Sequence, residues 1–334
     1  MADIHSKHPA LVALFGLVLV ACGGGGGSTG SPPSASPPPP SGLTDAQRSA
    51  AATTTAQANS LCTAVQPFYW EIGDRNAAKA SGSVGGSTYT ANYGMPIASS
   101  SKWIYSAYVL ERQAGALSAT DIKFLSFRSG YSSMDAFSCG SSATVDACLG
   151  VGTNGTYNPA DDGKFFYNGG HMQRHAHDLG LGGLNSAALA IEVQSRIGDF
   201  GFTYASPQPP GGVFATPAQY AAFLRKILAG GLQIGSQLGS HAVCTNPSTC
   251  ADAVFTPITA ESWHYSLGHW VEDDPAVGDG AFSSAGAFGF YPWIDSGKTY
   301  YGVLARQVLA QNAGYDSAQC GRLIRKAWVT GVAQ

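Results

Sequence analysis

The stretch Ile97-Ala98-Ser99-Ser100-Ser101-Lys102-Trp103 decides how the rest of this chain reads. Apolar residues recur at helical spacing just beyond it, through Ile104, Tyr108, Val109 and Leu110, so the spacing predicts a helix from Trp103 to Leu117. Ser99 and Lys102 lie three apart at its opening and share a face, with side chains in reach of one another. A serine hydroxyl is a poor nucleophile until a neighbour takes its proton, and a desolvated lysine can be that base. The helix N-terminus adds free N–H groups and the positive dipole end, which favour charge on an oxyanion. In isolation the same four residues also describe a serine cap beside a solvated lysine. Context has to decide between the two.

That context is ordered. Glu111, Gly115, Leu117 and Asp121 lead on to Ser129-Gly130-Tyr131. Gly211-Gly212-Val213-Phe214-Ala215-Thr216 then enters a helix over Pro217–Leu228, amphipathic through Tyr220, Phe223, Leu224, Ile227 and Leu228 and stopped by Gly230-Gly231. Ser266–Val271, Gly286–Asp295 and Tyr300–Gln307 read as late strands, within the segments Tyr265–Trp270 and Ser283–Asp295 that complete the order. Over residues 45–330 these motifs, in this order, resemble the serine β-lactamase-like superfamily: penicillin-binding proteins, class C β-lactamases, related esterases and 6-aminohexanoate-dimer hydrolases. The resemblance implies an α+β fold, with an antiparallel sheet built from N- and C-terminal strands, flanking helices and a mostly helical subdomain. It also implies an acyl-enzyme mechanism with Ser99 as nucleophile and Lys102 as general base, and no cofactor or metal.

The superfamily's second motif, Y-x-N, corresponds to Phe165-Phe166-Tyr167-Asn168-Gly169-Gly170-His171. Tyr167 matches the tyrosine, and Gly169 then falls where asparagine is usual. Shifting by one aligns Asn168 as a substrate-binding residue but puts Phe166 at the tyrosine and removes the hydroxyl. Chemistry favours Tyr167, because a phenol kept partly ionised beside Lys102 would shuttle the proton as acid/base. The third motif, Lys/His-Thr/Ser-Gly, matches Ser284-Ala285-Gly286, where Ser284 and Gly286 would contact substrate. The Ala287 amide would join that of Ser99 in an oxyanion hole. Ser284 is neutral where the superfamily carries a cation that helps hold a substrate carboxylate. This favours an ester or amide substrate over a penicillin-type one. A cell-wall DD-peptidase or β-lactamase is one alternative, and an inactive penicillin-recognising sensor is another.

The N-terminus reads as an address. Lys7 precedes a short apolar run, Ala10–Val20, that ends in Leu19-Val20-Ala21-Cys22. It is too short to span a bilayer and suits a secretory signal. The small residue before Cys22 resembles a bacterial lipobox, so residues 1–21 are expected to be removed and Cys22 lipidated. That would tether the protein to a membrane, expectedly the outer membrane, facing the periplasm or exterior. Residues 22–43 are nearly all Gly, Ser and Pro and form a spacer that cannot bury a core. The hydrolase domain is 44–334, and Thr44 with Gln47 caps an Ala-rich helix reaching Leu61.

Of 334 residues, 44% are hydrophobic and 12% charged, enough apolar material for one large domain. The net charge of -3 argues against nucleic acid as a partner. The basic cluster from Arg322 to Lys326 reads as the solvated face of a C-terminal helix. Behind an export signal, an even set of cysteines after Cys22 suggests disulfides. Cys139/Cys148 and Cys244/Cys250 would staple loops, leaving Cys62 with Cys320. A zinc site competes weakly, since no C-x-x-C occurs. His171 and His175 have the i,i+4 spacing of a metal pair, with His177 beyond them. They lack an acidic third ligand, and a surface helix is the expectation. His264 and His269 alternate with aromatics and are candidates to line the cleft.

Overall fold

Thr44 opens the first helix, Asp45–Ala58. Its hydroxyl accepts from the Gln47 amide at 3.2 Å while the Gln47 side chain takes the Thr44 amide at 2.9 Å, a reciprocal cap. The computed structural model describes residues 42–334. The signal expected over 1–21, the lipid site expected at Cys22 and nearly all of the spacer expected over 22–43 therefore lie outside the described residues. Among the described residues, no helix is long and apolar enough to cross a membrane.

Eight strands make the main sheet: β1 (Phe68–Asp74), β2 (Ala78–Val84), β3 (Val243–Cys244), β4 (His264–Ser266), β5 (His269–Glu272), β6 (Ala281–Ser283), β7 (Tyr291–Ile294) and β8 (Tyr300–Ala305). Their order is β2-β1-β8-β7-β6-β5-β4-β3, antiparallel throughout. The N-terminal hairpin thus pairs with the last strand, Tyr69 facing Ala305 and Asp74 facing Tyr300. This is the α+β arrangement that the order of elements predicts.

Alternation along β8 shows that both faces are covered. The Tyr300 ring meets Trp328 of the last helix, Ala313–Thr330, while the Tyr301 hydroxyl accepts from Arg225 of the Pro217–Leu228 helix at 2.7 Å. With helices on each side, strand β1 is buried from Phe68 to Gly73 rather than on alternate residues, and its one buried charge, Glu71, accepts from the hydroxyls of Tyr69 at 2.8 Å and Tyr301 at 2.6 Å. The two terminal helices lie together, and Arg48 donates to the carbonyls of Trp328 and Val329 at 2.9 Å each. Disulfides join Cys62 to Cys320, Cys139 to Cys148 and Cys244 to Cys250.

Several boundaries differ from the sequence reading. The helix expected over 103–117 is Ser101–Arg112, because Ala114 and Gly115 turn to positive φ, 49° and 82°. The single strand expected at 266–271 is a hairpin, β4 and β5, folded at Leu267 and Gly268 with φ of 33° and 79°. The strand expected from Gly286 begins only at Tyr291, since Gly286 and Gly289 close a loop through Gly289 N–H to Gly286 O at 2.9 Å. The C-terminal basic cluster is not a solvated face. Arg325 is 1% exposed, bonded to Glu272 at 2.8 Å and to Asp279 at 2.7 Å, and Arg322 pairs with Glu261 at 2.8 Å. Buried cations need such partners, because an unpaired one loses its hydration without return.

Candidate active site

Ala98 has φ of 46°, a left-handed conformation that costs a non-glycine residue energy and has to be held in place. Three hydroxyls hold it. Ser101 Oγ donates to the Ala98 carbonyl at 2.6 Å, Ser284 Oγ to that of Ser99 at 3.1 Å, and Tyr220 Oη to that of Ser100 at 2.9 Å. The Ser100 hydroxyl is itself buried against the Ser284 carbonyl at 2.6 Å. Two of the three consecutive serines are therefore spent on backbone. Ser99 remains partly accessible, on the turn Ala98–Ser100 that leads into the Ser101–Arg112 helix.

Lys102 Nζ lies 2.9 Å from Ser99 Oγ and 2.9 Å from the Pro210 carbonyl. Lys102 is 5% exposed, and among the described residues no carboxylate pairs with it. Burial in apolar surroundings penalises the ammonium and pulls its pKa down to about 7. The helix that carries it is buried from Ser101 to Leu110, and the Gly268 turn packs on its first turns where any Cβ would overlap Ser106.

Lys102 Nζ lies over the ring of Tyr167, 5.2 Å from its centroid. Trp270 stacks on it at 5.0 Å, and Phe127 and Tyr265 meet it edge-on at 5.4 and 5.7 Å. Its hydroxyl interacts with Ser99 and with Trp270, which lowers the pKa, but burial outweighs both and pushes it up to about 12. The expected partial ionisation of this phenol is therefore corrected. Burial makes Tyr167 a neutral hydrogen-bond donor, and Lys102 the group that titrates near neutrality. Asn168 accepts from the Gly170 amide at 2.9 Å and so starts the helix Gly170–Ala176. Phe166 carries no hydroxyl and packs its ring against Phe255 at 5.4 Å.

The third motif supports the turn that carries Ser99. Ser284 is buried with its hydroxyl on the Ser99 carbonyl, and a Cβ at Gly286 would overlap the Ile97 carbonyl. Glycine at 286 thus lets this loop close onto the turn that carries Ser99. Next in sequence, Ala287 is exposed. Among the described residues, neither the Ser99 nor the Ala287 amide has a hydrogen-bond acceptor, so both are free to donate.

The histidines lie elsewhere. His171 is fully buried, not on a surface helix: Nε2 donates to the Phe166 carbonyl at 3.0 Å, so Nδ1 accepts from Ser129 Oγ at 2.7 Å. Burial pulls its pKa down to about 3 and keeps it neutral. His175 is held between Asp121 at 2.9 Å and Tyr105 at 3.2 Å, while His177 pairs with Asp146 at 2.7 Å. His269 does not line the cleft. It is buried against Trp103 at 5.4 Å, and His264 bonds Asp273 at 3.0 Å. The sequence reading also missed the Pro210 carbonyl that orients Lys102, for which the run Pro209-Pro210-Gly211-Gly212 was the only local signal.

No family model matches this chain, and no curated protein does. Solved structures do match. A Bacteroides dorei protein assigned as a β-lactamase superposes with TM-score 0.58 and 20% identity over 80% of this chain and 95% of its own. A D-stereospecific amidohydrolase from Streptomyces sp. gives 0.58 and 13% over 87% and 100%, and FmtA from Staphylococcus aureus gives 0.55 and 13% over 92% and 94%. At such identities the likeness concerns architecture. The chain has the serine β-lactamase-like fold.

Proposed function

We propose that this chain is a serine hydrolase acting through an acyl-enzyme on an ester or amide, with the lipid anchor expected at Cys22 as its tether. The observation that carries this reading is the 2.9 Å contact between Ser99 and a buried lysine whose pKa is about 7. A neutral Lys102 keeps one N–H on Pro210 and takes the Ser99 proton as Oγ attacks the carbonyl carbon. Charge that develops on the substrate oxygen meets the free amides of Ser99 and Ala287. Tyr167 passes its proton to the leaving group and regains one from the Lys102 ammonium. Water then repeats the sequence in reverse on the acyl-enzyme. The neutral Ser284 supports an ester or amide over a substrate held through a carboxylate.

Ser99→Ala is expected to abolish both turnover and covalent labelling by a fluorophosphonate, while Ser100→Ala still labels. Mass spectrometry that places the adduct on Ser100 or Ser101 would overturn the assignment. A panel of p-nitrophenyl esters run against nitrocefin separates an esterase from a β-lactamase. Tyr167→Phe is expected to lower kcat by about 10²–10⁴-fold, the scale of a lost acid/base group, with little change in Tm. A near-full rate in that variant would assign the proton transfer to Lys102 alone.

A further inference from the structure

Met134 sits where the two reactive segments of the site meet. A Cβ built at Gly169, two residues beyond Tyr167, would lie 2.7 Å from Met134 Sδ and 3.2 Å from Cγ of Pro210. Pro210 is the residue whose carbonyl holds Lys102. Met134 is partly exposed, so its thioether forms surface next to both segments rather than core. Its loop is fixed in place. The Asp135 amide donates to Asn154 Oδ1 at 2.6 Å, Gln208 donates to the Ala136 carbonyl at 3.0 Å, and the Cys139–Cys148 disulfide closes the far end.

The rim continues this apolar character. Phe137, on the same loop, is 82% exposed. Phe255 is 47% exposed, and its carbonyl accepts from the Tyr167 amide at 3.0 Å. Leu309 is 84% exposed, beside Val308, whose amide donates to the carbonyl of Phe288, the neighbour of Ala287. Three segments hydrogen-bonded to residues in or beside the site, the Phe137 loop, the strand end at Phe255 and the Leu309 loop, thus each expose a large apolar side chain. The Asp135 carboxylate beside Met134 is turned to its own loop, accepting from the Phe137 and Ser138 amides at 3.1 Å each and from the Ser138 hydroxyl.

We propose that the substrate presents an uncharged, apolar acyl group to this wall, and that Met134 is the residue that sets this specificity. The inference rests on the serine hydrolase reading above. A charged acyl chain against thioether, proline and aromatic surface would lose hydration without a partner. Each methylene that reaches the wall gains from leaving water.

The test uses the full chain and labelling rates with three fluorophosphonates, bearing a methyl, a hexyl or a carboxylate-terminated pentyl chain. Hexyl is expected to react at least about tenfold faster than methyl, and the carboxylate probe about tenfold slower than hexyl. Met134→Lys should close or reverse the second gap, and Met134→Leu should preserve the wild-type order. Equal rates for all three probes, or a preference for the carboxylate, in a protein that labels would overturn the proposal alone. A wild-type chain that fails to label with any probe would overturn the hydrolase reading and the proposal with it. Should Met134→Lys melt early, the wild-type series decides.

Discussion

Lys102→Met is expected to remove activity and make the protein more stable. The activity loss follows from removing the amine that contacts Ser99 at 2.9 Å, and about 10³-fold or more in kcat/KM is the expected scale. The gain in stability follows from the cost of burying the amine. Its pKa is about 7 in the fold, against about 10.4 in an unfolded chain. Between those values the unfolded chain binds the extra proton, so stability rises with pH across that window, and the full penalty is present at and below pH 7. The difference corresponds to about 4–5 kcal/mol, from which the lost bond to the Pro210 carbonyl subtracts about 1 kcal/mol. Methionine fills similar volume without the charge. Denaturation midpoints at pH 7 and pH 10 provide the check: the variant should exceed wild type at pH 7, and its lead should shrink at pH 10. In wild type, kcat/KM should fall about tenfold per unit below pH 7 and level off above it. A variant no more stable at pH 7, or a flat rate profile down to pH 5, would refute the buried neutral base.

Cys62→Ala with Cys320→Ala is the second large effect, and it should touch stability alone. The two residues are separated by 258 positions, so the bond restricts most of the unfolded domain. The chain-entropy model puts that at up to about 5 kcal/mol, or a fall in Tm of roughly 5–10 °C for a domain of this size. Both cysteines are fully buried, Cys62 in the short helix Ser60–Thr63 and Cys320 in the last helix, and neither touches Ser99 or Lys102, so KM and kcat at a temperature below the transition should be unchanged. Non-reducing peptide mapping checks the bond. A Cys62 peptide found free or linked to another cysteine would refute it.

What the sequence made legible was mostly local. Ser99 and Lys102 are one helical turn apart, and their contact needs no distant residue. The Pro217–Leu228 helix could be bounded to the residue because a capping box, a first-turn proline and a glycine pair all mark it. The Cys62–Cys320 bond was legible through the fold class, since it requires only that the terminal helices meet. What stayed hidden was set by surroundings. Nothing in Gly170-His171 shows that Phe127 and Ser129 will enclose that imidazole. Nothing in Arg325 shows that Glu272 and Asp279 await it across the sheet. The hairpin at Leu267 was missed because leucine gives no turn signal. Tyr167 was misjudged because its ionisation depends on three aromatic neighbours drawn from other segments.

The place of β8 in the sheet has a consequence for how the chain is made. Synthesis delivers β1 and β2 first, yet the partner of β1 is among the last strands to appear, and it lies near the middle of the sheet. Until residue 305 has emerged, β1 lacks its partner strand, and the loop around Ala287 lacks Val308, whose amide donates to the Phe288 carbonyl at 3.0 Å. The turn that carries Ser99 rests on Ser284 and Gly286 of that loop, so its support comes from late in the chain. Contacts this distant along the chain make for slow folding.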